Sequence, residues 1–206
     1  MKIGFRTDSS KIIGAGHLSR CLKLAEDLKY KSAEIIFITK NLTGNFNNLI
    51  NKKKFKLVLI KGNKLKNDLI ETKEIIKKLK INLLIVDNYK IGINWEKKIR
   101  SKVEKLIVID DFSKRNHYCD LIINNLNSKI RNNTKNLTGL EYVIVPQIFY
   151  NKKISEKKKT SLTIGTFFGT NDSKNCSEKF LNLFSKKDFK NFKFISILGN
   201  SSNKNK

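Results

Sequence analysis

Short apolar runs rich in β-branched residues alternate with amphipathic stretches through the first two thirds of the chain. Ile3 to Thr7, Glu34 to Thr39, Lys56 to Ile60, Leu83 to Val86 and Leu106 to Ile109 read as buried strands. Between them Leu18, Cys21, Leu22, Ala25 and Leu28 recur at helical spacing, which places them on one face. The same period runs through Leu65 to Leu79 and, more weakly, Trp95 to Val103. Strand and helix in this alternation predict βαβ units around a parallel sheet covered on both faces, an α/β fold of Rossmann-like type.

Residues 151–160, NKKISEKKKT, carry no apolar period and read as a linker. Beyond them the rhythm restarts, with a strand at Leu162 to Phe168, a turn at Gly169-Thr170-Asn171-Asp172, a helix to about Phe184 and a strand at Phe192 to Leu198, before a polar tail. Two strands and one helix are too little to bury a parallel sheet on both faces. The expected organisation is therefore a Rossmann-like domain at 1–150, a linker at 151–160 and a partial second α/β domain at 161–206. A small extension packed on the first sheet is the alternative.

Composition narrows the function classes. At 39% hydrophobic and 30% charged, the 206 residues can form a real core, but no apolar run reaches the length of a membrane span. Cys21, Cys119 and Cys176 are odd in number and far apart, which suits free thiols in a reducing cytoplasm. The first residues enter a strand-like segment with no signal-peptide pattern. Lys and Arg number 43 against 18 Asp and Glu, a net charge of +25 that raises nucleic acid as a partner. Yet only Arg6, Arg20, Arg100, Arg115 and Arg131 supply the planar fork that phosphate and base readers favour. The excess is Lys, accompanied by many Asn and Ile, the residues that A/T-only codons encode. Compositional drift accounts for it better than polyanion binding, and the tracts at Lys52 to Lys54 and Lys157 to Lys159 read as solvated surface.

The segment from Asp8 to Arg20, DSSKIIGAGHLSR, follows the first strand and opens the first helix. In an open α/β sheet this is where the ligand crevice lies. Gly14 and Gly16 permit a sharp turn and close backbone approach, and helix-start N–H groups attract anionic oxygen. Ser19 stands where a dinucleotide fingerprint has its third Gly. His17, at the positive end of the helix dipole, is suited to act as a neutral base on water or else to cap the helix. Arg20, on nearly the same face, could pair with a phosphate or with Asp8. His117 and Cys119 do not make a zinc set, and Asp110 and Asp111, consecutive at a strand end, point to opposite faces.

These residues resemble a known family. FRTDSSKIIGAGHLSRCLKLA, residues 5–25, is similar to the F/I-R-x-D-x-S-x-x-I-G-x-G-H-x-x-R signature of the UDP-2,4-diacetamido-2,4,6-trideoxy-β-L-altropyranose hydrolases of pseudaminic acid biosynthesis, which are related to spore-coat polysaccharide glycosyltransferase-like proteins and B-type glycosyltransferases. The resemblance continues at Ile85-Val86-Asp87-Asn88-Tyr89, Ile109-Asp110-Asp111, His117-x-Cys119-Asp120, Gly139-x-x-Tyr142 with Phe149, and Gly169-Thr170-Asn171-Asp172-Ser173-Lys174-Asn175. Asn88 stands where the family often has His, Thr170 where it has a second Gly, and Pro146 where Arg is common.

The resemblance implies a two-domain B-type architecture and hydrolysis at the anomeric carbon without metal or cofactor, with water attacking with inversion, UDP leaving and His17 as proton acceptor. It implies substrate contacts at Asp8, Ser9, Gly14, Gly16, Arg20 and Tyr89, whose hydroxyl could hydrogen-bond the sugar. The second domain would hold the nucleotide, with Gly169, Thr170, Asn171 and Asn175 facing the diphosphate. The expected partner is a UDP-sugar rather than nucleic acid, and the expected state a cytoplasmic monomer. Glycosyl transfer to an acceptor hydroxyl and a non-catalytic binding fragment are the competing readings.

Overall fold

The computed structural model of the protein describes residues 1–62, 64–112, 115–126, 135–149, 162–170, 172, 174–185 and 192–199. The expected linker at 151–160 with its Lys tract, Asn171 and the polar tail from residue 200 lie outside the described residues. The chain divides into two compact units, Met1–Phe149 and Tyr150–Lys206.

In the first unit the elements run β1 (Lys2–Thr7), α1 (Gly16–Tyr30), β2 (Glu34–Lys40), α2 (Asn48–Lys52), β3 (Lys56–Ile60), α3 (Leu65–Leu79), β4 (Leu83–Asp87), α4 (Ile93–Arg100), β5 (Lys105–Ile109), β6 (Leu121–Asn124) and β7 (Lys135–Thr138). The strands form one seven-stranded sheet in the order β3-β2-β1-β4-β5-β6-β7. Every pairing in it is parallel, so the Rossmann-like α/β expectation holds. The chain starts in the middle at β1, winds outward through β2 and β3, then returns to the other side of β1 with β4. Strand order reverses between β1 and β4, and a crevice opens at the carboxyl ends of these two strands.

The strand period of two sorts side chains between two cores. Ile35 and Phe37 join Ile3, Phe5 and the α1 residues Leu18, Cys21 and Leu22 on one face, whereas Ile36 and Ile38 join Ile76, Trp95 and Ile99 of α3 and α4 on the other. Gly4 faces the second core: a Cβ there would lie 3.1 Å from the Ile81 and Leu84 side chains. Arg6 has the same parity as Gly4, so its guanidinium enters the α3 face, fully buried. It donates to both oxygens of Asp8 at 2.7 and 2.8 Å and from Nε to Asp68 of α3 at 3.2 Å. Lys40 Nζ adds a contact of 3.0 Å to Asp68. Burial would raise the Asp68 carboxyl, but Arg6 and Lys40 hold it below the ordinary carboxylate range.

In the second unit β8 (Leu162–Phe167) and β9 (Phe192–Ile197) pair in parallel with each other, not with the first sheet, around α5 (Cys176–Ser185). Phe180 and Phe184 of α5 pack on Phe194, whose neighbour across the ladder is Ile164. The opposite face, with Phe167 beside Ile197, is exposed. Gly199, after β9, approaches the turn before α5 so closely that a Cβ would sit 2.1 Å from the Thr170 carbonyl oxygen, which makes glycine obligatory there.

The Arg6 cluster generates a stability prediction. Asp68→Ala leaves Arg6 with the Asp8 carboxylate alone, its buried Nε unpaired and Lys40 Nζ without its carboxylate, so the variant is expected to cost about 3 kcal/mol in urea unfolding. A loss below about 1 kcal/mol, the range of an exposed ion pair, would show that Arg6 is not held as described.

Candidate active site

The register sets Thr7 at the end of β1 beside Asp87 at the end of β4. Asp87 continues the parity of Leu83 and Ile85, which pack on the α1 face, so its carboxylate points at α1. There the first helical turn presents His17, and the next presents Arg20. His17 Nδ1 lies 2.6 Å from Asp87 Oδ1, and Arg20 reaches Asp87 through Nε at 2.6 Å and Nη2 at 2.7 Å. Asp87 is completely buried. Burial would raise its carboxyl, but the bonds from Arg20 and His17 keep it below the usual value, so it is ionised and can only accept. The proton between Asp87 and His17 therefore sits on Nδ1, and Nε2 lies on the far side of the ring from Asp87. Among the described residues Nε2 has no hydrogen-bond partner. The 3.3 Å approach of Arg20 Nη2 to Nδ1 follows from their sharing Oδ1.

Arg20 was open to pairing with a phosphate or with Asp8. It does not pair with Asp8, which faces the β2 side and belongs to Arg6, the backbone N–H of Lys40 and the Asn88 amide. Instead Arg20 Nη1 donates to Asp111 Oδ2 at 2.6 Å, which also accepts from the Tyr89 hydroxyl at 2.9 Å. Desolvation and Asp111 push the Tyr89 phenol up to about 12, so it remains a donor. Its ring stands edge-on to His17, with centroids 4.3 Å apart.

Asp8, Ile13, His17, Asp87, Asn88, Tyr89 and Lys90 line a cleft of about 260 Å³ at the switch point. A larger groove of about 650 Å³ lies at the opposite end of the sheet, under Ile76, Ile81 and Val103, away from the carboxyl ends of the strands. Around the cleft the loop after β1 is tightly organised. Ser10 Oγ accepts from the Ile12 and Ile13 N–H groups, Gly14 N donates to the Ser10 carbonyl at 2.8 Å, and Gly14 takes φ 82°, which favours glycine. Nothing lies within 4 Å of a Cβ at Gly16, and no side chain caps the start of α1. Ser9 is buried, with its hydroxyl accepting from Phe46 N.

Asp110 points the other way from Asp111. Its Oδ2 lies 2.8 Å from His117 Nε2, while His117 Nδ1 lies 2.8 Å from Glu96 Oε1. Burial alone would lower the His117 pKa, but Asp110 and Glu96 raise it to about 9, so an imidazolium bridges β5 to α4. Both ring nitrogens are occupied by carboxylates. Burial, with Glu96, pushes the neighbouring Cys119 thiol up to about 12. In the second unit Gly169 takes φ 87° and Asn175 φ 52°. The Asp172 carboxylate accepts from the N–H groups of Cys176 and Ser177 at 2.7 and 2.9 Å, so that helix start is already capped by its own chain. Thr170 lies in the same turn, and the Asn175 amide bonds Glu178.

Asp8, His17 and Tyr89 of the expected contacts thus line the cleft, while Ser9, Gly14, Gly16 and Arg20 shape the loop and helix beside it. Asp87 and Asp111 were not assigned a role by sequence reasoning. The signal available for Asp87 was an acid at the end of a buried apolar strand.

No protein-family model matches the chain. It is 32% identical over 214 residues to an uncharacterised protein of Methanocaldococcus jannaschii, covering 97% of this chain and 43% of that protein. It is 29% identical over 213 residues to the UDP-2,4-diacetamido-2,4,6-trideoxy-beta-L-altropyranose hydrolase of Campylobacter jejuni, covering 100% of this chain and 72% of that enzyme. The chain thus spans less than half the length of the first relative. The relation to the hydrolase expected from the G-x-G-H-x-x-R loop is borne out. Among solved structures, MurG of Acinetobacter baumannii shares the fold, with a TM-score of 0.62 at 11% identity over 96% of this chain and 67% of that one. Among the described residues no helix is long and apolar enough to cross a membrane.

His117 supplies a pH prediction. Its folded pKa of about 9 lies above the ordinary 6.5, so the folded state holds the extra proton across that interval. The resulting stability is complete below the lower value and lost as pH rises through the upper one, by roughly 3 kcal/mol at most. Denaturant titrations across this range should show the decline, and His117→Gln should abolish it. An unchanged pH slope in the variant would contradict the bridge.

Proposed function

We propose that the protein hydrolyses a UDP-linked, N-acetylated deoxy sugar, the reaction class for which the Campylobacter relative is named, with His17 as the base. The observation that carries this reading is the His17–Asp87 pair, locked by Arg20 and opening on the cleft at the switch point. Asp87 fixes the imidazole orientation and leaves the Nε2 lone pair to take a proton from water. The water oxygen bonds to C1 of the sugar as the bond from C1 to the phosphate oxygen breaks. The electron pair leaves on UDP, and attack on the face opposite the leaving group inverts the centre. UDP is a stable anion, so the leaving oxygen needs little acid assistance. The uncapped start of α1 offers N–H groups and a positive dipole end to its charge. Neither a metal nor a cofactor enters this step.

Arg20 acts in this scheme as the clamp on Asp87 and Asp111 rather than as a phosphate ligand, since Nε and both terminal nitrogens are engaged. Tyr89 acts through its ring. The second unit is assigned to nucleotide binding, on the resemblance carried by Gly169, Thr170, Asn171 and Asn175. A soluble nucleotide sugar as substrate fits a cytoplasmic monomer with no nucleic-acid partner. The relation to MurG is one of fold, and product analysis separates transfer from hydrolysis: free sugar supports water as acceptor, a new glycoside supports transfer.

His17→Gln is expected to lower the rate of UDP release about 10²–10⁴-fold with little change in UDP affinity. Asp87→Asn, which can donate to Nδ1 and invert the tautomer, should lose a comparable factor. Thermal unfolding of both variants separates chemistry from stability. UDP release by His17→Gln at the wild-type rate would remove His17 from the mechanism.

A further inference from the structure

Beyond the carboxylates of β5 stands Phe112, an aromatic residue at the carboxyl edge of the sheet with about half its surface, 53%, exposed. Its position is set rather than loose. Its N–H donates to Asp110 Oδ1 at 2.9 Å, and its ring packs on Tyr89 with centroids 4.6 Å apart at 58°. Tyr89 in turn packs on His17 at 4.3 Å and 85°. An aromatic strip therefore leads from the proposed base through Tyr89, which lines the cleft, to the exposed ring of Phe112. The polar end of Tyr89 is not available to a ligand, because its hydroxyl already donates to Asp111 Oδ2. What Tyr89 and Phe112 present is ring surface, and Ile13 adds an aliphatic side chain to the cleft lining. The half-exposed Phe112 ring therefore extends, through Tyr89, the apolar lining that Ile13 and Tyr89 give the cleft, and a ligand seated there can cover it.

We propose that Phe112, with Tyr89, forms a specificity platform that selects sugars in which ring hydroxyls are replaced by methyl-bearing substituents. The proposal rests on the reading of the substrate as a UDP-sugar. A 2,4-diacetamido-2,4,6-trideoxyhexose carries a methyl at C6 and one on each acetyl group, and these bury well against aromatic rings. A hydroxyl in the same place would lose its water partners and gain none from a ring face. Phe112 thus discriminates by what it cannot hydrogen-bond, and it does so next to the anomeric centre because the strip begins at His17.

The test uses the intact 206-residue chain as wild type, Phe112→Ala and Phe112→Trp. The probes are a UDP-2,4-diacetamido-2,4,6-trideoxyhexose, UDP-N-acetylglucosamine, which keeps its 4- and 6-hydroxyls, and UDP. Calorimetry gives Kd and a UDP assay gives turnover. Phe112→Ala should weaken binding of the trideoxy probe about five- to twentyfold. Binding of UDP-N-acetylglucosamine and UDP should change less than about twofold, and Phe112→Trp should retain most of the discrimination. Thermal unfolding confirms that both variants fold. Unchanged affinity of Phe112→Ala for the trideoxy probe, or an equal loss for all three probes, would overturn the platform, as would wild type binding neither sugar nucleotide. If wild type binds and discriminates as expected yet releases no UDP, the hydrolytic reading falls and the platform stands.

Discussion

A carboxylate buried without solvent at the end of a parallel strand must be neutralised, and the site is organised around how Asp87 meets that demand. Transfer of an unpaired carboxylate out of water is prohibitive, so the fold holds Asp87 only because α1 delivers Arg20 and His17 to it. Two consequences follow from one interaction. The charge pair ties the first helix to the fourth strand across the switch point, and the same bond fixes which nitrogen of His17 carries the proton. Stability and chemistry are therefore coupled at this residue.

The other strand-end acids obey the same rule with different partners. Asp8 after β1 is satisfied by Arg6, Asn88 and the backbone of Lys40, and Asp110 after β5 by His117 and Arg115. Their acceptor positions are taken up within the fold. The Asp87 cluster differs because one of its partners is an imidazole with a second nitrogen that lacks a partner among the described residues, on a side chain that lines the cleft. The net charge of +25 plays no part in this arrangement. Lys52, Lys53 and Lys54 are exposed, as expected of solvated surface, whereas the basic groups that organise the strand ends are Arg6, Arg20, Lys40, Arg115 and His117.

Periodicity carried most of the fold. The apolar runs placed β1 to β5 to within a residue or two, and α3 spans Leu65–Leu79 as its spacing predicts. It missed α2, β6 and β7, for physical reasons. Asn48–Lys52 is too short to show a period. Leu121–Asn124 has only a few apolar residues, and Lys135–Thr138 is a polar edge strand whose pairing comes from β6 rather than from its own pattern. The Gly14 turn and His17 at a helix start were legible because both are local. The pairing of Arg20 with Asp87 rather than Asp8 was not, since it depends on which strand returns beside β1. The same holds for Asp68 of α3 and for Phe112, whose surroundings are assembled from separate strands.

The central claim is that Asp87 sets the state of His17, and nitrogen-resolved magnetic resonance of the His17 ring tests it most directly. Long-range nitrogen–proton correlations on the free protein should show the neutral ring as the Nδ1–H tautomer with the lone pair on Nε2. Asp87→Asn should shift it toward the opposite tautomer. A wild-type ring found with its proton on Nε2, or a tautomer indifferent to Asp87→Asn, would contradict the account.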